Sequence, residues 1–168
     1  MADQTAHDDH ERRLLALEDI GAIKDLKARY WRAVDFKRPD EVESCFLPDA
    51  VIEYEGLPRF DSREAFLAVV RQGVARPGAF DVHHGENPII ELTGPDTARG
   101  VWDCLYHGFD AANRQITYQN GAYEDEYARR NGRWFIKSTR MRIAAFLLQS
   151  VGEDGSIKAL ALGEPSAR

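Results

Sequence analysis

The chain has 168 residues, of which 43% are hydrophobic and 30% are charged, as is typical of a globular domain with a sizeable core. Its formal net charge of −6 argues against nucleic acid and anionic membranes as partners, because phosphate binding requires a basic surface. The polar amino terminus lacks the apolar core of a secretory signal, and the two cysteines, Cys45 and Cys104, suit a reducing compartment. We therefore expect a cytoplasmic protein.

The first half of the chain is predicted to be mainly helical. Apolar residues at helical spacing indicate a first helix from about Leu14 to Val34, preceded by a polar tail over residues 1–13. A second helix is expected to begin at Pro39, because proline is favoured in the first turn. A short strand over Ala50–Glu55 and a third helix, from about Asp61 to Gly73, complete this half.

From Asp81 onward the hydrophobic period changes to two, which is typical of strands. Consecutive hairpins predict an antiparallel meander, and long strands in such a sheet must twist. The fold class is therefore α+β: a cone-shaped, strongly curved antiparallel sheet with the amino-terminal helices packed in its concave side, around a ligand-sized interior. One domain is expected over residues 14–149, with residues 150–168 as a tail and a candidate cover for the pocket mouth. The predicted long strands are His83–Thr93, Thr97–Phe109, Gln115–Arg129 and Arg133–Gln149.

Several polar residues conflict with their predicted surroundings. Tyr30 lies on the apolar stripe of the first helix, and a buried tyrosine hydroxyl needs a partner. Asp35 ends that helix, where the helix dipole disfavours a negative charge, so it is either solvated, offset by nearby cations, or functional. His83 and His84 are neighbours on a strand, so only one of them can point into the cone.

The later strands carry four further candidates, whose orientation the pattern leaves open. Asp103 belongs either to a polar cavity wall or to a wet outer face. Tyr123 is predicted to share a face with Asp125. Arg140 and Arg142 share a face with the apolar residues of the last strand if no bulge intervenes, and there they are either a clamp for a substrate oxygen or members of a surface ion pair.

Motifs for cofactor chemistry are absent from the sequence. It contains no glycine-rich phosphate loop, no dinucleotide fingerprint and no Gly-x-Ser-x-Gly elbow. The segment His83-His84-Gly85-Glu86 lacks a familiar metal-ligand spacing. We therefore expect acid–base chemistry with no cofactor and no metal.

Three segments carry a resemblance to a known family. They are IGAIKDLKARYWRAVDFKRPDEVESCFLPDAVIEYEG, HHGENPIIELTGPDTARG and GAYEDEYARRNGRWFIKSTRMR. In order and spacing they resemble the SnoaL-like branch of the nuclear-transport-factor-two-like superfamily, over about Leu17 to Phe146. The resemblance implies a curved-sheet cone closed by helices on one side. Because that superfamily contains enzymes of several classes and non-catalytic modules, fold alone does not assign the function.

The lyases of this superfamily suggest roles for individual residues. Bile-acid dehydratases and a dehydrochlorinase are similar at an aspartate ending the first helix and a histidine opening a strand, here Asp35 and His83. Tyr30 also matches a tyrosine of the dehydratases, and His83 is preferred to His84 because it stands four residues before Asn87. These three are the candidate catalytic residues. The candidate substrate-binding residues are Arg142, Arg140, Asp103, Tyr54, Tyr123 and His84.

The resemblance thus implies a cofactor-independent lyase acting on a hydrophobic ring-containing small molecule. The reaction would be a dehydratase-like elimination, or a carbon–carbon cleavage such as deformylation. The alternatives are an isomerase or cyclase that works through an enolate, and a non-catalytic small-ligand binding or association module. A homodimer or homotrimer formed through the outer sheet face is also implied, and Trp102 and Tyr106 suit either that surface or a core.

Overall fold

The computed structural model describes residues 2–74 and 76–163. Within these ranges the helices precede the long strands, as predicted. The helices are α1 (Ala2–Asp35), α2 (Pro39–Glu43) and α3 (Arg63–Val74). The strands are β1 (Phe46–Tyr54), β2 (Ala79–Gly94), β3 (Thr97–Asp110), β4 (Gln115–Arg130), β5 (Arg133–Val151) and β6 (Ile157–Gly163).

All six strands belong to one sheet, whose order is β1-β5-β4-β3-β2, with β6 also paired to β5. The predicted meander from β2 to β5 is antiparallel throughout, and β1 joins β5 in parallel. The α+β fold class is confirmed. β2 forms one edge of the sheet, so its outer backbone groups are open to partners from α1.

Two bulges in β5 help to bend the sheet and change which residues face the helices. Between Ile136 and Ser138 the pairing with β4 skips Lys137, and between Ile143 and Ala145 it skips Ala144. An extra residue bends the strand and shifts the alternation of its side chains by one position. Consequently Ile136 is buried before the first bulge, whereas Thr139 is buried after it.

The core lies between the helices and the concave face of the sheet. Ile23, Leu26 and Tyr30 of α1 are buried there, as the helical spacing predicts. Both cysteines, Cys45 and Cys104, are buried and free. The buried aromatic residues of this core are Tyr30, Trp31, Phe46, Phe60, Phe66, Trp102, Tyr123, Tyr127 and Trp134.

The ends of the chain contain more regular structure than the sequence pattern indicates. The first helix begins at Ala2, whereas the pattern predicts a start near Leu14. Polar residues can continue a helix without an apolar stripe, so periodicity detects only the packed part. Residues 157–163 of the predicted tail form β6. No residue of β6 is among the described residues that line the main cavity, a space of about 500 Å³ between the helices and the sheet. Residues 164–168 lie outside the described part.

Trp102 and Tyr106 belong to the inner face of the sheet. Trp102 is 5% exposed and Tyr106 lines the main cavity, so neither supplies an aromatic outer surface. The homodimer or homotrimer itself remains a prediction. In the described part of the chain, no helix combines the length and the apolar character that crossing a membrane requires.

Gly85 of β2 lies against the ring of Trp31, and a Cβ atom added there would overlap that ring. Trp31 cannot yield easily, because its ring packs edge-on against Trp102 and Tyr123 with centroids 5.5 and 5.6 Å away. Gly85→Ala is therefore expected to lower the free energy of unfolding by about 1–3 kcal/mol, measured by urea denaturation. Gly21→Ala is the control, because a Cβ there meets nothing and should stabilise α1 by about 1 kcal/mol. An unchanged urea midpoint for Gly85→Ala would contradict this account of the packing.

Candidate active site

A cavity of about 500 Å³ lies among α1, α3 and the concave face of the sheet. Most of its lining surface is apolar, because the rings of the tyrosines add to the hydrophobic side chains, and polar groups converge on it, as is usual for a small-molecule site. The apolar part comprises Val34, Leu57, Phe66, Val69, Val70 and Met141. The polar part comprises Tyr30, Lys37, Tyr54, Glu55, Arg76, Asp81, His83, Cys104, Tyr106, Gln119 and Tyr123.

His83 and Asp35 form a close pair at one wall of this cavity. The Nδ1 atom of His83 is 2.5 Å from Oδ1 of Asp35, and the backbone N–H of His83 donates to Oδ2 at 3.0 Å. The side chains are 12% and 16% exposed, respectively. His83 lines both this cavity and a smaller pocket, and Asp35 lines the smaller pocket.

This arrangement fixes the ring of His83 in one orientation. An ionised aspartate accepts hydrogen bonds only, so Nδ1 must carry the proton that it shares with Asp35. The other ring nitrogen, Nε2, is then the free acceptor of the neutral imidazole and can take a proton. Asp35 would also stabilise the imidazolium that results. The pair therefore has the geometry of an oriented general base.

The turn after α1 explains why an aspartate is tolerated at the end of that helix. Lys37 adopts a left-handed conformation with φ of 56°, and the N–H groups of Arg38 and Lys37 donate to the carbonyls of Ala33 and Val34. These two bonds form a Schellman motif, which satisfies carbonyls at the helix end. The carboxylate of Asp35 points instead to the edge strand β2, where the two hydrogen bonds from His83 offset the unfavourable helix dipole.

Tyr30 and Tyr54 share a short hydrogen bond in the same cavity, with their hydroxyl oxygens 2.5 Å apart. Burial is the main reason that the pKa of each hydroxyl is raised, so both tyrosines stay protonated at neutral pH. Two hydroxyls carry two protons, and the bond between them uses one. The second proton remains available to a ligand oxygen in the cavity.

Tyr123 lines the cavity next to this tyrosine pair. Its ring packs edge-on against Tyr54 with centroids 5.7 Å apart, and it is 4% exposed. The prediction that Tyr123 shares an inner face with Asp125 is confirmed, because both side chains are buried. Tyr30, Tyr54, His83 and Tyr123 are thus the predicted site residues that line one cavity, with Asp35 behind His83.

Arg140 and Arg142 lie outside the main cavity, which corrects the expectation that one of them faces it. Both side chains are exposed, and Arg140 forms an ion pair with Glu53 at 3.2 Å on the surface. The cause is the bulge at Lys137, which turns the residues with even numbers outward and places Met141 on the cavity side. The surface ion pair was the alternative interpretation of Arg140.

Asp103 and His84 also lie outside the main cavity, contrary to their predicted role in substrate binding. Asp103 is exposed and accepts a hydrogen bond from the side chain of Asn87 at 2.9 Å. His84 is exposed, and its ring lies 5.7 Å from that of His107. Strand alternation places both on the outer face, whereas His83 lines the cavity.

The profile of the SnoaL-like domain matches residues 15–140. The chain belongs to the SnoaL-like domain family.

Among relatives of this SnoaL-like protein is the gamma-hexachlorocyclohexane dehydrochlorinase of Sphingobium indicum, which is 27% identical over 118 residues. The match covers 70% of this chain and 76% of that enzyme. A solved structure from Novosphingobium aromaticivorans, provisionally assigned as a scytalone dehydratase, has a TM-score of 0.75 at 19% identity and covers 91% of this chain and 96% of its own. An NTF2-like protein with a cystatin-like fold from the same species has a TM-score of 0.65 at 18% identity, over 78% and 85% of the two chains. These structural likenesses establish the fold.

Two polar pairs of this SnoaL-like domain were missed from the sequence. Lys27 and Asp125 form an ion pair at 2.7 Å, and both side chains are fully buried. Asp81 and Tyr106 share a hydrogen bond of 2.6 Å in the cavity. Lysine on a helix is usually solvated, so only its three-residue spacing before Tyr30 could have indicated burial. Asp81 could have been found from its spacing of two residues before His83, which places both on one strand face.

Among the residues that the structure describes, no group of three or more histidine, cysteine, aspartate or glutamate side chains is arranged to hold a metal ion. The polar groups of the cavity include one histidine, which is bonded to Asp35, and several tyrosine hydroxyls. Such a set can remove a proton and stabilise a negatively charged oxygen.

Proposed function

We propose that this protein is a cofactor-independent lyase that performs β-elimination, such as dehydration, on a hydrophobic ring-containing small molecule. The observation that carries the proposal is the short bond from His83 to Asp35 at the wall of an apolar cavity. It leaves Nε2 of His83 as a base on the same cavity that holds the hydroxyls of Tyr30 and Tyr54. The dehydrochlorinase relative, by its name, is an enzyme of the same reaction class.

In the proposed reaction, His83 Nε2 removes a proton from a carbon next to a carbonyl or to another activating group. The electron pair of the broken C–H bond forms the new double bond as the leaving group departs from the neighbouring carbon. The proton then passes from the imidazolium of His83 to a leaving hydroxide, which gives water and restores the base. Asp35 holds the imidazole and stabilises its charged form during the step.

The tyrosine pair is assigned to hydrogen bonding rather than to full proton transfer. Because burial raises the pKa of Tyr30 and of Tyr54, forming a tyrosinate in the cavity would be costly. A hydroxyl that stays protonated can still donate to an oxygen that gains negative charge, and this stabilises the transition state. Tyr30 and Tyr54 are therefore assigned the role of an oxyanion hole.

The proposal is tested with two probes of the reaction class. The first is 3-hydroxy-1-tetralone, which loses water to give fluorescent 1-naphthol, and the second is γ-hexachlorocyclohexane, whose elimination releases chloride. Catalysed formation of either product above the rate in buffer is expected. If both probes bind, as detected by calorimetry, and neither is converted, the protein is better described as a small-ligand binding module.

Tyr30→Phe is expected to lower kcat for the converted probe by about 10²-fold, because one donor to the developing oxyanion is lost. The effect is measured from initial rates at saturating probe. Tyr118→Phe is the matched control, since Tyr118 is 38% exposed and is not among the described residues that line the cavity. Equal kcat values for Tyr30→Phe and Tyr118→Phe would remove Tyr30 from the mechanism.

A further inference from the structure

Asp81 and Tyr106 form a second polar group in the cavity, separate from the tyrosine pair. Asp81 stands two residues before His83 on β2, and both line the cavity. Tyr106 is the register partner of His83 on β3, and the two rings lie 5.1 Å apart. The hydroxyl of Tyr106 donates to Oδ1 of Asp81 at 2.6 Å. This contact places a carboxylate beside the proposed base.

The position of this pair marks it as a boundary of the main cavity. A second cavity of about 230 Å³ is lined by Asp81, Tyr106 and Arg76, and all three also line the main cavity. The smaller cavity continues toward Asp110 and Thr117, which lie near the hairpin that joins β3 to β4. A substituent on a ring in the main cavity could therefore reach Asp81 at the junction.

The charges around Asp81 favour one kind of substituent. Its carboxylate would repel an anionic group, and Arg76 already forms an ion pair with Asp110 at 2.9 Å. Lys37 and Arg76 line the same cavity and disfavour an ammonium group. A neutral hydroxyl meets neither penalty, and it can donate to Oδ2 of Asp81, which has no hydrogen-bond partner among the described residues.

Tyr106 supports an acceptor role for this carboxylate. Burial, followed by the hydrogen bond to Asp81, raises the pKa of Tyr106, so its hydroxyl stays protonated and keeps donating to Oδ1. The bond holds the carboxylate at the cavity wall with its other oxygen available. A hydrogen bond to a charged acceptor contributes more than one between neutral groups.

We propose that Asp81, held by Tyr106, is a specificity subsite for a second hydroxyl group on the substrate ring, distinct from the group that reacts at His83. This inference rests on the proposed function in one respect, that the cavity takes a ring-containing molecule. The subsite predicts a polyhydroxylated ring as the substrate class.

The test measures equilibrium binding by calorimetry, with 1-naphthol and with 1,5-, 1,6- and 1,7-naphthalenediol as probes. Wild-type protein is expected to bind at least one diol about tenfold or more tightly than 1-naphthol. Asp81→Leu should reduce that preference to less than about twofold, because the acceptor is gone. Asp81→Asn, which keeps the size of the side chain, should give an intermediate preference, since a neutral acceptor bonds less strongly. The asparagine variant still tests the role of Asp81 if the leucine variant fails to fold.

Asp103→Asn is the control, because Asp103 lies on the outer face and should leave the diol preference unchanged. The subsite is overturned if no diol binds more tightly than 1-naphthol, or if the preference survives in both Asp81 variants. Binding does not require turnover, so the two proposals fail separately. Diol preference without any elimination keeps the subsite and overturns the lyase, and elimination without diol preference does the reverse.

Discussion

His83→Gln is expected to lower kcat for elimination by about 10²–10⁴-fold, the usual contribution of a positioned general base. Glutamine can keep a hydrogen bond to Asp35, but its amide nitrogen and oxygen cannot take a proton from carbon at neutral pH. The structure supports a large effect, because Nδ1 of His83 is bound to Asp35 at 2.5 Å and the ring is only 12% exposed. Initial rates with 3-hydroxy-1-tetralone or γ-hexachlorocyclohexane measure the change.

The neighbouring residue supplies a matched control for this substitution. His84 has the same side chain on the same strand, yet it faces outward and is exposed. His84→Gln should therefore retain the wild-type kcat within about twofold. The base assignment fails if His83→Gln keeps full turnover, or if both variants lose activity equally while remaining folded by circular dichroism.

Lys27→Met is expected to lower the free energy of unfolding by about 3–5 kcal/mol, because it leaves the charge of Asp125 buried without its cation. Lys27 and Asp125 are both fully buried, 2.7 Å apart. Burial lowers the pKa of Lys27, and the charge of Asp125 opposes that shift. Tyr127 and Thr139 also donate to Asp125, each at 2.6 Å, so the carboxylate is held in place and cannot turn toward water.

Urea denaturation of two further variants separates burial from charge pairing. Lys137→Met breaks a surface pair with Glu126, in which the side chains are 55% and 57% exposed, and should cost less than about 1 kcal/mol. The double variant Lys27→Met with Asp125→Leu should be more stable than Lys27→Met alone, since it removes the unpaired charge. A cost for Lys27→Met as small as that of Lys137→Met would contradict the buried ion pair.

The pair also bears on the site, because the ammonium of Lys27 lies against two tyrosines that line the cavity, Tyr30 and Tyr123. The ammonium of Lys27 is 4.0 Å from the ring centroid of Tyr123, 4.8 Å from that of Trp31 and 5.4 Å from that of Tyr30. A cation over an aromatic face is attracted to its negative quadrupole. Lys27 therefore helps to hold the rings that shape the tyrosine side of the cavity.

Sequence pattern predicted the fold where a hydrophobic period persists over a whole element. The helical stripe of Ile23, Leu26 and Tyr30 and the alternation along β4 both specify a buried face, and the structure confirms them. The amino-terminal part of α1 escaped prediction because it packs against little, so it has no apolar stripe to detect. Even Leu14 and Leu17, at the start of the predicted part, are 58% and 67% exposed.

The candidate site was predictable only where the alternation of side chains between the two faces of a strand continues without a bulge. His83 lies before any irregularity that affects its face, and it lines the cavity whereas His84 is exposed. Arg140 and Arg142 lie beyond the bulge at Lys137, and that extra residue reverses the side chains that follow it, up to the second bulge at Ala144. Local sequence gives no clear signal for such a bulge, because it depends on how β4 and β5 pair around the curved sheet.

Contacts between residues that are distant in the sequence were also not predicted. The bond between Tyr30 and Tyr54 joins α1 to β1, and the pair of Lys27 and Asp125 joins α1 to β4. Each residue alone has an ordinary interpretation, and only the packing of the helix into the sheet brings the partners together. Helix position and the resemblance to SnoaL-like lyases together indicated Tyr30 and Asp35, but neither indicated Lys27 or Asp81.

The most direct test of His83 as a base on this cavity is hydrogen–deuterium exchange at C2 of 1-tetralone in D₂O, followed by proton NMR. This measurement isolates proton abstraction, because 1-tetralone has no leaving group. Wild-type protein and His84→Gln are predicted to accelerate the exchange equally, whereas His83→Gln should lose about 10²–10⁴-fold of that acceleration. Exchange at the buffer rate with wild-type protein, or undiminished exchange with His83→Gln, would contradict the account.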